Sequence, residues 1–314
     1  MSVLRWWVAL LDRREGAGPQ AAVRILLALV ILLDWLQIGR LGLVQAIFAP
    51  EAAGGIGRPM SREPALWLYA ALPAEQVAPL AYGAVLVLAG MLLVGLATRF
   101  SAAALVLLMA QLALALPATD RGIDMLIRNM LVLLVFAHSH RAWSLDAHVR
   151  RWLGWENGLV PAWPRYLVVM QLVILYFTAG LQKVASSWTP FGGFSALYIA
   201  MRDPAFAVFP PELVSALFPM TQALTAGSLL WEWGAPLLLL SLFYRDTRTR
   251  PGRLRALCNR LRIRELYLLL GALFHLGTAV SLQLGIFPWA VLALYPACFH
   301  PDELRAARAR WSRE

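Results

Sequence analysis

Tyr166-Leu-Val-Val-Met-Gln-Leu-Val-Ile-Leu-Tyr-Phe-Thr-Ala-Gly-Leu-Gln-Lys183 is an apolar run long enough to cross a bilayer, and it ends on the only lysine of the chain. The remaining 27 of the 28 basic residues are arginine. A hydrocarbon core of about 30 Å needs about 20 apolar residues in a helix. Comparable runs recur at 21–38, 77–97, 101–117, 123–138, 221–244, 265–286 and 287–300. The pattern predicts an all-α fold, a polytopic integral membrane helical bundle of about eight transmembrane helices. Six or seven spans are the alternatives, since the last run is short and follows Phe287-Pro288 with almost no loop.

Composition agrees. Hydrophobic residues make up 60% and charged residues 15% of the chain, where a soluble domain is about one quarter charged. The formal charge of +10 would suit nucleic acid, but its distribution does not. With the N-terminus in the cytoplasm and the spans alternating, 20 of the 28 basic residues fall inside, among them Arg141–Arg165, Arg245–Arg264 and Arg305–Arg313. The outer loops keep Arg40, Arg58, Arg62, Arg121 and Arg202. This is positive-inside bias, with both termini cytoplasmic, as expected of a multi-pass protein of a cell inner membrane. Membrane lipids are the expected partners, with headgroup contact along Tyr244–Arg264, and nucleic acid is excluded.

The whole of 1–314 reads as a single transmembrane domain. Residues 1–20 form an interfacial N-terminal segment, with a short surface-lying stretch over Leu4–Leu11, and 301–314 a cytoplasmic basic tail. The start is too polar and aromatic for a secretory signal. Two outer loops are long enough to fold over a site: Arg40–Gln76, with Pro59, and Ser186–Val214, with Trp188. Cys258 and Cys298 form no CxxC motif and are expected as thiols. No HExxH or His pair occurs, so no metal is expected.

Ionisable groups inside spans need a partner or a purpose. Asp34 sits in the first run. Asp124 and Arg128 stand at i and i+4, the favourable order for an ion pair on one helix face. Glu232 lies between two tryptophans, and His275 near the middle of its run. Lys183 is open to two readings: an amine that loses its proton when desolvated, which a guanidinium effectively never does, or an anchor snorkelling to the interface. Tyr176 lies seven residues back on its face, with Ala179 and Gly180 between, small enough to admit a neighbouring helix or a flat ligand. Counting from Arg165 puts Lys183 about 27 Å along the helix, near the outer interface.

Tyr176-Phe-Thr-Ala-Gly-Leu-Gln-Lys183 followed by Trp188 resembles the signature of the HTTM domain, the membrane part of vitamin K-dependent gamma-carboxylase. Further segments resemble the same family in the same order: Gly122-Ile-Asp-Met-Leu-Ile-Arg-Asn129, Trp143-Ser-Leu-Asp146, Trp231-Glu-Trp-Gly-Ala-Pro-Leu-Leu238, and Leu273-Phe-His-Leu-Gly277 leading to Gly285-Ile-Phe-Pro-Trp289. The resemblance implies a base at Lys183 that deprotonates a reduced, vitamin K-like quinone on the outer side, in lyase and epoxidase chemistry. It implies assistance from His275, with Tyr176, Gly180, Trp188, Asp124 and Arg128 about the cofactor. Two departures stand against a full carboxylase. The chain ends at Glu314 without the large lumenal region, and Gly122-Ile123-Asp124 stands where the carboxylases tend to carry an Asn-His pair. Three functions follow as alternatives: a quinol- or lipid-dependent enzyme, a non-catalytic assembly or binding component with a membrane or periplasmic protein partner, and a transporter. Transport is disfavoured by the lack of a half-chain repeat or paired broken helices.

Overall fold

The computed structural model describes residues 8–9, 11–57, 71–115 and 117–311, and nearly all their regular structure is helical. The interfacial stretch expected over Leu4–Leu11 falls largely outside these residues, as do Arg58, Pro59, Arg62 and Arg313. Among the described residues five helices are long and apolar enough to cross a membrane: α1 (Gly18–Arg40), α2 (Ala74–Val94), α3 (Thr98–Ala115), α5 (Trp163–Gln182) and α9 (Ile263–Ser281). The pair α6 (Phe218–Trp233) and α7 (Pro236–Asp246), bent by 52°, is long and apolar enough only when taken together, as a broken span or a re-entrant loop. The bend follows from Gly234-Ala235-Pro236. Proline has no N–H to donate, and its ring clashes with the carbonyl four residues back, which is that of Glu232.

Two of the eight expected spans are shorter than their apolar runs suggested. The run at 123–138 forms α4 (Gly122–Phe136), 15 residues and about 22 Å long. The run at 287–300 yields α10 (Phe287–Leu292) and then a 3-10 turn over Tyr295–Cys298. Pro296 removes a helical donor there. An apolar stretch reports burial, but its helical length depends on where the backbone can keep its hydrogen bonds.

The chain packs as two compact units, the boundary falling within α5. The first comprises residues up to Val168 together with those from Pro296 onward. In it α1 packs on α2, α2 on α3 and α3 on α4. Several polar groups lock its ends. Arg24, fully buried, donates to the carbonyls of Ser139 (2.8 Å), Ala142 (3.3 Å) and Trp143 (2.5 Å). Asp146 accepts from the backbone N–H groups of Ala97 and Thr98 and from the Thr98 hydroxyl, closing the exposed start of α3. Ser144 caps the helix Leu145–Trp152 through Ala147 N. The stretch Trp143–Asp146 therefore has a structural task in two helix starts. Gly95, at φ 71°, ends α2; a Cβ there would come within 2.9 Å of Ser144 Cα, so glycine is required on both counts.

A two-residue antiparallel ribbon pairs Arg14 with Pro161 and Glu15 with Val160. It delivers the Glu15 carboxylate to Arg165 at the start of α5, where Nε and Nη2 donate at 2.7 and 2.9 Å. Both side chains are under 5% exposed. Arg165 also donates to Ala297 O at 3.1 Å.

The second unit spans Val169–Tyr295. Here α6 packs on α9, α7 on both α8 (Arg253–Arg260) and α9, and α9 on α10. The expected outer loop at Ser186–Val214 is mostly short helical pieces, among them Ala196–Arg202, which packs on α6. Gln283 donates from its backbone to Phe206 O and from its side chain to Ala207 O, tying that segment to the end of α9.

Candidate functional site

Lys183 follows the last turn of α5, and Glu232 lies in the last turn of α6 before the proline bend. Their approach depends on Gly180. A Cβ there would come within 2.7 Å of Trp233 Cδ1 and 3.1 Å of Glu232 Cβ, so only glycine lets α5 and α6 meet this closely. One turn further, Lys183 Nζ donates to both Glu232 oxygens at 2.5 Å. The Lys183 side chain is 18% exposed and that of Glu232 5%. The ammonium also lies 4.3 Å from the centroid of the Trp188 ring, a cation–π contact that strengthens when water is excluded.

A second polar centre lies earlier on α5. Tyr176 Oη is 2.8 Å from His275 Nε2 on α9 and 3.1 Å from Tyr295 Oη. Trp231 packs against Tyr176 at 4.5 Å, stacks on Tyr267 at 5.2 Å and meets His275 edge-on. Its indole N–H donates to Tyr267 O. At Gly271 an added Cβ would collide with Tyr295 Oη and the Trp231 ring, so this close crossing again requires glycine. His275 is fully buried, and its Nδ1 has no hydrogen-bond partner among the described residues. Trp231 and Glu232 are consecutive, so the two centres share the last turn of α6 and lie about 10 Å apart along α5.

Among the residues singled out in the sequence, Lys183, Trp188, Gly180, Tyr176 and His275 therefore fall in the second unit, around these two centres. Asp124 and Arg128 belong to the first unit, and they do not pair with each other. Asp124 accepts from Arg121 Nε at 2.8 Å and from the Arg121 backbone N–H at 3.0 Å. Arg121 also reaches Asp34 at 2.7 Å. Arg128 donates to both oxygens of Asp120 at 2.7 Å. The physical reason is the helix start: the first N–H groups of α4 lack intrahelical acceptors, and Asp124 in the first turn folds back to satisfy one. The acid is thereby turned away from i+4. The two carboxylates beside Arg121 hold its guanidinium pKa above the ordinary range, the hydrogen bond to Asp124 being the largest cause.

Sequence reasoning left Glu232 without its partner, gave Trp231 no role beyond its place in a family segment, and passed over Tyr295. The signal for Glu232 was present, because a mid-span carboxylate requires a cation or proton and the chain has one lysine. Nothing local marked Tyr295, whose role arises from the fold-back after α9. Among the described residues no group of three or more His, Cys, Asp and Glu could hold a metal.

The spans and this site define a multi-pass helical membrane protein with a lysine–carboxylate pair and a buried histidine–tyrosine cluster in its spans. The family model of the HTTM domain matches residues 14–250. The chain belongs to the HTTM-domain family, and so is a membrane protein related to the carboxylase membrane domain. No solved structure matches it.

Proposed function

We propose that this chain is a quinol-dependent membrane enzyme in which Lys183 acts as the general base at the outer side of a bacterial inner membrane. The observation that carries the reading is the contact of Lys183 with Glu232. A lysine becomes a base only when its proton has somewhere to go, and the carboxylate 2.5 Å away is a ready acceptor. With the proton on Glu232, the Nζ lone pair is open to a hydroxyl proton, and the resulting ammonium is stabilised by the Trp188 face. The residues present fit a flat aromatic ligand. Trp188 offers its ring beside the amine, Trp233 lies against Gly180 one turn away, and the buried His275 Nδ1 has no hydrogen-bond partner among the described residues. A reduced quinone held there would supply the acidic hydroxyl and two electrons, with dioxygen as the electron acceptor. Tyr176 orients His275 through the Nε2 contact.

The test is aerobic quinol oxidation by the purified full chain, with dioxygen as the acceptor, together with organic extraction and mass spectrometry of what co-purifies. Lys183→Arg keeps the charge and removes the base, so the rate is expected to fall by roughly 10²–10⁴-fold. An unchanged rate overturns the assignment.

The same ion pair favours a second reading, a non-catalytic membrane component in which Lys183 and Glu232 merely neutralise each other. Quinone absent from extracts, together with no Lys183-dependent oxidation, would establish it.

The placement of the site on the outer side rests on positive-inside bias. Both termini and the 245–264 loop are expected in the cytoplasm, with 188–214 in the periplasm. Cysteine accessibility scanning in intact cells checks this, and a periplasmic 245–264 loop would invert the site.

A further inference from the structure

A cavity of about 250 Å³ lies in the second unit where α7 ends, α8 runs alongside and α9 begins. Ser241, Arg245, Arg248, Asn259, Arg262 and Arg264 line it together with Cys258 and Glu265. Four guanidiniums thus face one carboxylate, and that carboxylate is already engaged by Arg264 at 2.6 Å. Arg264 is buried in the wall at 4% exposure, while Arg248 and Arg262 are exposed. The side chains of Arg248 and Arg262 make no ion pair or hydrogen bond among the described residues. Nearby Arg255, which does not line the cavity, is occupied by Thr247 Oγ1 and the carbonyls of Arg250 and Pro251. Asn259 donates to Tyr244 O and Arg255 O, and Ser241 to Leu238 O. The uncommitted donors are therefore the guanidiniums of Arg248 and Arg262, whose planar forks match phosphate oxygens.

The chain turns into α9 at Arg262, which adopts φ 51°, ψ 45°. That conformation is uncommon for a residue other than glycine, and it sets an arginine at the rim where a relaxed turn would favour Gly or Asn. The cavity is smaller than the roughly 300–1,000 Å³ of sites for drug-sized ligands, so its size suits a compact anionic group. The neighbouring helix points to the source of that group. Leu254, Leu257 and Leu261 follow each other at i, i+3 and i+7 along one face of α8 and its cap, each at least half exposed. Asn259 lies on the other side of α8, and Arg262 follows its cap; both line the cavity. A short helix with an exposed leucine face flanked by arginines has the pattern of one that lies along a membrane surface, and this points to a headgroup as the source.

We propose that this cavity binds the phosphate of an anionic lipid headgroup, held by Arg248 and Arg262 with Arg245 and Arg264 behind them. The site is separate from the Lys183–Glu232 centre and stands whether or not that centre is catalytic.

Cys258 reports on it without mutation, because it lines the cavity half-buried while Cys298 is fully buried. In nanodiscs of phosphatidylcholine with phosphatidylglycerol, maleimide labelling of Cys258 in the unaltered full chain is expected to be several-fold slower than in phosphatidylcholine alone. In detergent, native mass spectrometry is expected to show phosphatidylglycerol retained over phosphatidylcholine. Arg248→Gln with Arg262→Gln should lower that retention by about ten-fold per guanidinium. Arg253→Gln with Arg260→Gln, on α8 but outside the cavity, should leave it unchanged. Equal loss from both pairs would reduce the effect to net charge and overturn the site. Slowing by inorganic phosphate alone, with no effect of phosphatidylglycerol, would assign the cavity to free phosphate and overturn the lipid. No slowing by either would overturn both.

Discussion

Glu15→Ala is expected to destabilise the protein by about 3–5 kcal/mol, the scale for stranding one charge of a buried ion pair. The remaining Arg165 is only 3% exposed. A guanidinium cannot escape by losing its proton, and a donor to Ala297 O supplies no counter-charge. The two-residue ribbon that carries Glu15 would lose its reason to close against Val160 and Pro161. Glu15→Leu combined with Arg165→Met should return most of the loss, because a packed apolar pair needs no desolvation of charge. Unfolding of the detergent-solubilised variants by denaturant measures all three. A single variant as stable as the unaltered chain would mean that Arg165 is hydrated, and the burial described for it would be wrong.

Lys183→Met has the second large effect, and its sign separates the two functional readings. It leaves Glu232 at 5% exposure with no cation. Unlike Arg165, this carboxyl can take up a proton and remain as a neutral group, so the expected cost is about 1–3 kcal/mol, that of a buried polar group without its partner. Lys183→Met with Glu232→Leu should recover that stability. If the pair is only structural, the double variant is equivalent to the unaltered chain in every assay. If Lys183 is a base, the double variant folds as well and oxidises no quinol. A thermal-stability series run beside the quinol assay gives both readouts. Independent, additive losses from the two single changes would show that the 2.5 Å contact is not made in the folded protein, since residues in contact couple by about 0.5–3 kcal/mol.

Much of the site's framework could be read from residue types. Gly180 was marked as a place of close helix approach, and its neighbours at 2.7 and 3.1 Å show which helix approaches. Trp188 was marked by its nearness to Lys183 and proves to cover the ammonium. The pairing of charges was less legible. Asp124 and Arg128 had the spacing of a helical ion pair, but a spacing rule scores only two residues at a time. It took no account of Arg121 and Asp120, or of the open N–H groups at the start of α4, all of which compete for the same side chains. Arg24 and Glu15 drew no attention, because what each meets is a carbonyl cluster or a guanidinium more than a hundred residues away.

The sequence by itself determined the class of this protein. Partition into a bilayer depends on local composition, so the apolar runs, the arginine distribution and the HTTM-type segments carry it without reference to contacts. Only the tertiary structure decided the partners: Glu232 for Lys183, His275 and Tyr295 for Tyr176, Asp120 for Arg128. It also decided which runs become full-length helices and where α6 breaks. The reason is that a buried charge is indifferent to sequence distance. It takes whichever opposite charge or open donor the packing brings within about 3 Å, and Lys183 and Glu232 are 49 residues apart.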